Sequence, residues 1–385
     1  MSPGWILVCA LPWGLVPLIV LWRVSDSTEL DRYPLAAGDD AELVSVVLPA
    51  RNEAVHIEAC MRSILASAYP HFELIVVDDH STDDTGEIAR RVAASDPRAR
   101  VLSNPDLPDG WFGKQWACHN GAAVARGRIL LFTDADTRHG PECLPRAVNA
   151  RRIRHADLLS VAGQQVMESF WERLIQPHIF MLLLTRFGGS ETISRAKSPY
   201  GKVANGQYLM ITREAYDRVG GHASVRAHVG EDLMLGQGVT RAGMSVQMVT
   251  GLEHLFTRMY AGLGDIIRGW GKNVWAGGRD TLPVGPWGIR LLRILFPLPP
   301  LWEIVAPVAG LLALCGAVPV TVGWWALTAY VFTSLGWIPP YAQAKQSLWY
   351  IWLNPLASAV MFWIFASASW RGQRVEWKGR QYISR

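Results

Sequence analysis

From Leu43 onward, short apolar runs alternate with stretches of helical pattern, and each apolar run stops at a polar or acidic cluster. Leu43 to Leu48 reads as a buried strand, followed by the turn Pro49-Ala50-Arg51-Asn52-Glu53 and a helix from Ala54 to Ser67. Glu73 to Val77 is the next strand and ends in Asp78-Asp79-His80-Ser81-Thr82-Asp83-Asp84, with a helix from Thr85 to Ala94 and a short strand at Arg100 to Ser103 after it. A loop rich in Gly and Pro, Asn104 to Gly113, leads to Lys114 and a helix through Val124. Ile129 to Phe132 then breaks off into Thr133-Asp134-Ala135-Asp136. Repeated strand–helix units predict an α/β fold with a mostly parallel sheet, covered by helices, whose ligands bind beyond the carboxyl ends of the strands.

Three polar clusters fall at such ends: Arg51 to Glu53, Asp78 to Asp79, and Asp134 to Asp136. Two carboxylates one residue apart at the end of a buried strand are costly if unpaired. Asp134-Ala135-Asp136 therefore reads either as oxygen ligands for a divalent cation that holds a diphosphate, or as a turn with two solvated aspartates.

The ordered set Leu48-Pro49-Ala50-Arg51-Asn52-Glu53, Val76-Val77-Asp78-Asp79-His80-Ser81-Thr82-Asp83, Gly113-Lys114-Gln115-Trp116-Ala117, Asn120-Gly121 and Thr133-Asp134-Ala135-Asp136 resembles the successive motifs of family 2 glycosyltransferases of the GT-A fold, which is Rossmann-like. The resemblance runs from about Val44 to about Trp275. Within the family it is most similar to the membrane branch that glycosylates lipids, including ceramide glucosyltransferase-like and hopanoid- or carotenoid-associated enzymes. It implies donor contacts from Pro49, Arg51, Glu53, Asp78, Asp79 and Lys114, with Asp134 and Asp136 meeting the sugar diphosphate through Mg or Mn.

Further on, Glu168 to Phe187 reads as a helix with Phe170, Trp171, Leu174 and Ile175 on one face, either in the core or in a membrane interface. Ile193 to Lys202 reads as a mobile loop, and Val203 to Thr212 as a strand carrying Asn205-Gly206-Gln207. In His228-Val229-Gly230-Glu231-Asp232, two carboxylates precede an apolar helix. The resemblance makes Glu231-Asp232 the family's catalytic pair, with Asp232 the general base that deprotonates an acceptor hydroxyl. Acids capping a helix N-terminus are the plainer alternative. Arg268-Gly269-Trp270 matches in part an Arg/Trp motif of ceramide-type members. There Arg268 would offset charge on the departing nucleoside diphosphate and Trp270 would floor the acceptor site, though a basic surface helix has the same pattern. His254 is a candidate further metal ligand or a structural histidine.

Flanking this region, Trp5 to Trp22 is apolar and uncharged, and reads as an uncleaved anchor with the chain after Arg23 on the cytoplasmic side. Pro286 to Trp302 suits an interface helix, and Ile304 to Pro319, Thr321 to Tyr341 and Leu348 to Ser369 are apolar segments. The expected division is an anchor at 1–24, a linker at 25–42, the GT-A domain at 43–285, the interface helix and C-terminal membrane segments at 286–370, and a basic tail at 371–385. Three crossings would put that tail outside, against the rule that basic residues stay in, so one segment is expected to be re-entrant or interfacial. Its Trp377-Lys378-Gly379-Arg380-Gln381-Tyr382 resembles the end motif of ceramide-type enzymes.

The net charge of +4 is too small to suggest nucleic acid, and 18 Trp favour a membrane interface. Five cysteines without CxxC spacing read as reduced. The expected protein is an integral enzyme of a bacterial-type inner membrane with a cytoplasmic catalytic domain. It would transfer sugar, with inversion, from a nucleotide-sugar to a membrane lipid hydroxyl. The alternatives are transfer to a polyprenyl phosphate, a processive polysaccharide synthase, or a scaffold on an inactive transferase fold.

Overall fold

The computed structural model describes residues 2–36, 42–372, 374–377 and 380–383. The chain divides into two compact units, one of 27–166, 190–259 and 373–385, the other of 1–26, 167–189 and 260–372.

The first unit is built on eight strands, β1 (Val44–Ala50), β2 (Phe72–Asp78), β3 (Ala99–Ser103), β4 (Ile129–Phe132), β5 (Thr137–His139), β6 (Leu158–Gln165), β7 (Leu209–Thr212) and β8 (Val246–Thr257), in the order β3-β2-β1-β4-β7-β6-β8-β5. The β3-β2-β1-β4 half is parallel, β7 runs antiparallel to both β4 and β6, and β8 lies parallel to β6. Unbroken apolar runs mark strands with helices on both faces. Val44, Val46 and Leu48 of β1 enter one apolar cluster with Met61 and Leu74, while Val47 enters a second with Ala117, Cys118 and Leu130. The helix Gly113–Val124 lies so close to β1 that a Cβ on Gly121 would come within 2.4 Å of the Val47 side chain. Glycine at 121 thus sets the depth of the helix that carries Lys114. Cys60, Cys118 and Cys143 are buried free thiols, and Cys9 and Cys315 are free and exposed.

Several sequence-based expectations need correction. Residues 27–36 pack as part of this unit: Leu30 is fully buried, and the Thr250 amide donates to the Thr28 carbonyl at 2.9 Å. The rest of that linker, 37–41, lies outside the described residues. Residues 193–202 are not a mobile loop, because Ser190–Arg195 is helical and Pro199–Gly201 is a 3-10 turn. Buried Lys202 anchors that turn by donating to the Ser194 and Val246 carbonyls at 2.7 and 2.8 Å, and burial pushes its pKa down to about 8. The strand expected from Val203 begins only at Leu209, and Asn205-Gly206-Gln207 form a turn closed by the Tyr208 amide on the Asn205 carbonyl.

The second unit is helical. The helix Pro3–Val24 packs on Trp302–Leu314 and Val320–Gly336, with Trp13 stacked on Trp302 at 4.2 Å and the Trp325 indole N–H donating to the Cys9 carbonyl. Glu303 accepts from Ser358 Oγ at 2.6 Å and from Trp337 Nε1 at 3.0 Å, which satisfies a carboxylate among apolar helices. The outside carries exposed Leu11, Leu18, Leu311, Trp324 and Trp363, an apolar surface suited to lipid. Pro3–Arg23, Pro286–Leu314 and Leu348–Arg371 are long and apolar enough to cross a membrane. Residues 286–302, expected as an interface helix, therefore form part of a longer apolar stretch. The apolar segment expected over 321–341 is broken: its helix, Val320–Gly336, has 17 residues and ends before Pro339 and Pro340, which lie in the short helix Ile338–Gln343.

The helix Phe170–Phe187 belongs to this second unit and starts with a reciprocal cap between Ser169 and Glu172. Of the four residues expected on one face, Leu174 and Ile175 are buried whereas Phe170 is 43% exposed, and the buried residues also include Glu172, Gln176 and His178. Residues 260–280, placed by the sequence in the catalytic domain, also group with the helical unit.

Candidate active site at the carboxyl ends of the strands

Each strand end delivers its polar cluster for a local reason. After β1, Asn52 takes a positive φ of 53° and its side-chain oxygen accepts the Thr82 amide at 2.8 Å, which ties this turn to the one after β2. Arg51 donates to the carbonyls of Asp79 and His80. The two acids after β2 separate into different tasks. Asp78 accepts the Ser81 amide at 3.1 Å and lies against Gly86 of the next helix, where a Cβ would come within 2.4 Å of its Oδ2. Asp78 is thus a local brace. Asp79 is 1% exposed; its Oδ1 accepts from Asn104 Nδ2 at 2.9 Å, and Asn120 in turn donates to Asn104 at 2.8 Å.

After β4 the chain turns over a buried polar knot. Thr133 Oγ1 donates to the Gln207 carbonyl at 2.7 Å, and Thr137 Oγ1 donates to the Asp134 carbonyl at 2.7 Å. His139 Nε2 lies 3.0 Å from both hydroxyls, and burial pushes its pKa down to about 4, which keeps the ring neutral. This knot orients Asp134 and Asp136. Lys114 Nζ sits 2.7 Å from Asp134 Oδ1 and 2.7 Å from Glu231 Oε1. Burial opposes the ammonium charge, but Asp134, Glu231 and Asp232 outweigh it and hold the pKa well above the ordinary lysine value.

Asp232 lies at the start of the helix Glu231–Arg241 with each oxygen held by a backbone amide, Oδ2 by Gly206 and Oδ1 by Leu233, both at 2.7 Å. Burial and then Glu231 push its pKa up to about 6 against the pull of Lys114. Asp136 is pushed up to about 7 by burial, then by Asp134 and Glu53. A recess of about 260 Å³, counting space open to solvent, is lined by Pro49, Lys114, Asp134, Gly206, Glu231 and Asp232 among others.

The fit of a divalent cation can be judged from these atoms. Asp136 Oδ1 is buried without a hydrogen-bond partner, an acceptor that a cation would satisfy. Two carboxylates suit Mg or Mn, which complete their shell with substrate phosphates and water. His254 does not join them. Its Nε2 lies 2.7 Å from Asp31 Oδ1, and among the described residues no three His, Cys, Asp or Glu side chains are grouped to hold a metal. Arg268 and Trp270 lie in the helical unit: Arg268 is exposed and pairs with Asp265 at 2.6 Å, and Trp270 is buried against Phe180 and Tyr260. The glycine between them is where a Cβ would strike the Tyr260 ring.

Two residues were named in the sequence only as parts of longer segments, without a place at the site. Gly206 approaches Asp232 and Lys114 so closely that a Cβ there would stand 3.1 and 3.2 Å from Asp232 Oδ2 and Lys114 Nζ. Gly206→Ala should therefore displace both by a few tenths of an ångström and lower turnover about tenfold with little change in donor KM, a split that steady-state kinetics would read. Arg380, from the far end of the chain, pairs with Asp79 at 2.7 Å. The resemblance of Trp377-Lys378-Gly379-Arg380-Gln381-Tyr382 to an end motif was the available signal, but nothing local in the sequence points to Asp79 as the partner.

A mostly parallel mixed sheet, with acids at the ends of β1, β2 and β4 and a carboxylate pair opening a later helix, defines the GT-A glycosyltransferase fold. Residues 45–220, a little under half of the chain, match the family described as "Glycosyl transferase family 2". It is 30% identical over 249 residues to the 4,4'-diaponeurosporenoate glycosyltransferase of Staphylococcus haemolyticus, a match covering 64% of each chain and so just under two thirds of that relative. The protein of the same name from Staphylococcus aureus strain MRSA252 is 28% identical over 351 residues, 88% of each chain. Among solved structures, the mannosyltransferase PcManGT from Pyrobaculum calidifontis, in complex with GDP-Man and Mn2+, superposes with a TM-score of 0.57 at 19% identity, covering 92% of this chain and 96% of that one. At that identity the likeness concerns the fold.

Proposed function

We propose that this chain is an inverting, membrane-bound transferase that moves a sugar from a nucleoside-diphosphate donor to the hydroxyl of an apolar lipid. The observation that carries this reading is the carboxylate of Asp232, fixed by two amides beside the Lys114–Asp134 pair, with a pKa raised to about 6. A base so held can take a proton from an acceptor hydroxyl as it attacks the anomeric carbon. Lys114 neutralises the carboxylate cluster and orients Asp134, while Glu231 fixes Lys114 from the other side. Asp134 and Asp136 would hold a divalent cation, which when bound offsets the charge of the leaving diphosphate. Arg51 braces the nucleoside end through the Asp79 and His80 carbonyls.

The lipid acceptor is supported by the apolar helical unit and by the names of the Staphylococcus relatives. We place the catalytic unit on the cytoplasmic side. The tail residue Arg380 pairs with Asp79 of that unit, so an even number of crossings between 260 and 372 is required, and Pro286–Leu314 and Leu348–Arg371 supply two.

Full-length protein in lipid vesicles, supplied with UDP- and GDP-sugars, Mg or Mn and a bacterial lipid extract, should yield lipid products heavier by one hexose or hexuronic residue in mass spectrometry. No transfer with any donor, together with no nucleotide binding, would overturn the reading in favour of a scaffold.

A further inference from the structure

Both oxygens of Asp79 are committed to other side chains of this protein. Oδ1 accepts from Asn104, and Oδ2 meets Arg380 Nη1 at 2.7 Å, with Arg51 Nη1 3.9 Å away. Arg380 lies on β10 (Arg380–Ile383), which pairs antiparallel with β9 (Arg374–Trp377) to form a C-terminal hairpin; Lys378 and Arg385 of the basic tail lie outside the described residues. Side chains alternate across a strand. Arg380 and Tyr382 are partly buried, whereas Gln381 and Ile383 are exposed, so one face of β10 is docked. Tyr382 packs its ring 4.2 Å from that of Phe112, and its hydroxyl accepts the Gly113 amide at 3.4 Å. Gly113 directly precedes Lys114. The hairpin thus touches the catalytic unit at the acid after β2 and at the start of the helix that supplies the site's ammonium.

A tether for the chain end would need only the apolar contact of Tyr382. The side chain of Asp79 is 2% exposed and that of Arg380 23%, so burying this charge pair in a tether brings a desolvation cost with little return. A guanidinium has five N–H donors in a planar fork, and the contact to Asp79 uses one of its terminal nitrogens. Resting on the transferase reading above, we propose that the C-terminal hairpin forms a wall of the donor site and that Arg380, oriented by Asp79, is a donor-positioning residue that presents its remaining N–H groups to the bound nucleoside diphosphate.

The test uses the full-length protein and titrates UDP and GDP, each with Mn, by calorimetry. Arg380→Ala should weaken nucleotide binding on the order of tenfold to a hundredfold, the loss expected for a hydrogen bond to a charged group. It should raise donor KM far more than it lowers kcat, a split that a purely structural role would not give; because Asp79 is left buried without its partner, the melting point without nucleotide should also fall. Arg380→Lys keeps the charge without the fork and should fall between the two; it decides the matter if the alanine variant folds poorly. Wild-type affinity and KM in Arg380→Lys, and in a folded Arg380→Ala, would overturn the proposal while leaving the transferase reading intact. If the wild type binds neither nucleotide and transfers no sugar, that reading falls and the proposal with it.

Discussion

Asp232→Asn should lower sugar transfer by about 10²- to 10⁴-fold, the usual contribution of a positioned general base, and leave donor binding within a few-fold of the wild type. The asparagine keeps the shape of the side chain and one acceptor for the Gly206 or Leu233 amide, so the turn at Asn205-Gly206-Gln207 should persist. What it loses is the ability to take a proton. The pH profile carries the same signature. Asp232 is active when ionised, and burial and Glu231 raise its pKa to about 6, so turnover should fall as pH drops through that value and level off above it. The residual activity of the asparagine variant should lack that limb. A turnover assay from about pH 5 to 8 on both proteins, with nucleotide binding measured alongside, checks the argument. Near-full transfer by the variant would sink the base and would point to an acceptor already ionised, such as a polyprenyl phosphate.

The sequence shows the parallel half of the sheet plainly, because β1, β2 and β4 are buried on both faces and their apolar runs are continuous. The same physics hides the other half. β6 is Leu158 to Gln165, four buried residues followed by four partly exposed ones, and β5 has only three residues, so neither shows a clean period. Thr133, Thr137 and His139 each look unremarkable in sequence; their knot exists only once β4 and β5 are folded around it. The acids were legible as a set, but the division of work between Asp78 and Asp79 depends on where Gly86 and Asn104 fall. Arg380 is 301 residues from Asp79, and a basic tail has no local pattern that names its partner. Lys114 could be named from resemblance, whereas its double pairing could not.

That double pairing leads to the other large expected effect. Lys114→Met should lower the melting point of metal-free protein on the order of 10 °C, and Mn should recover much of the loss. The Lys114 side chain is 24% exposed, Asp134 29% and Glu231 9%, so these contacts are sheltered from solvent. Removing one partner of a sheltered pair strands the other charge, at about 3–5 kcal/mol. Here Asp134, Asp136, Glu231 and Asp232 would be left to repel one another, and the repulsion by Asp134 already raises Asp136 in the intact protein. Sharing protons among the acids would relieve part of this at low pH, so the deficit should shrink as pH falls below the values of about 6 and about 7 that Asp232 and Asp136 already have, and be largest above them. A divalent cation offers the other relief, because Asp136 Oδ1 has no hydrogen-bond partner to give up. The Mn-induced rise in melting point should therefore be larger in Lys114→Met than in the wild type, a readout independent of activity. Equal melting curves for the two proteins in chelator would show that Lys114 does not balance the cluster. A destabilised variant that gains nothing from Mn or Mg would remove Asp134 and Asp136 as cation ligands.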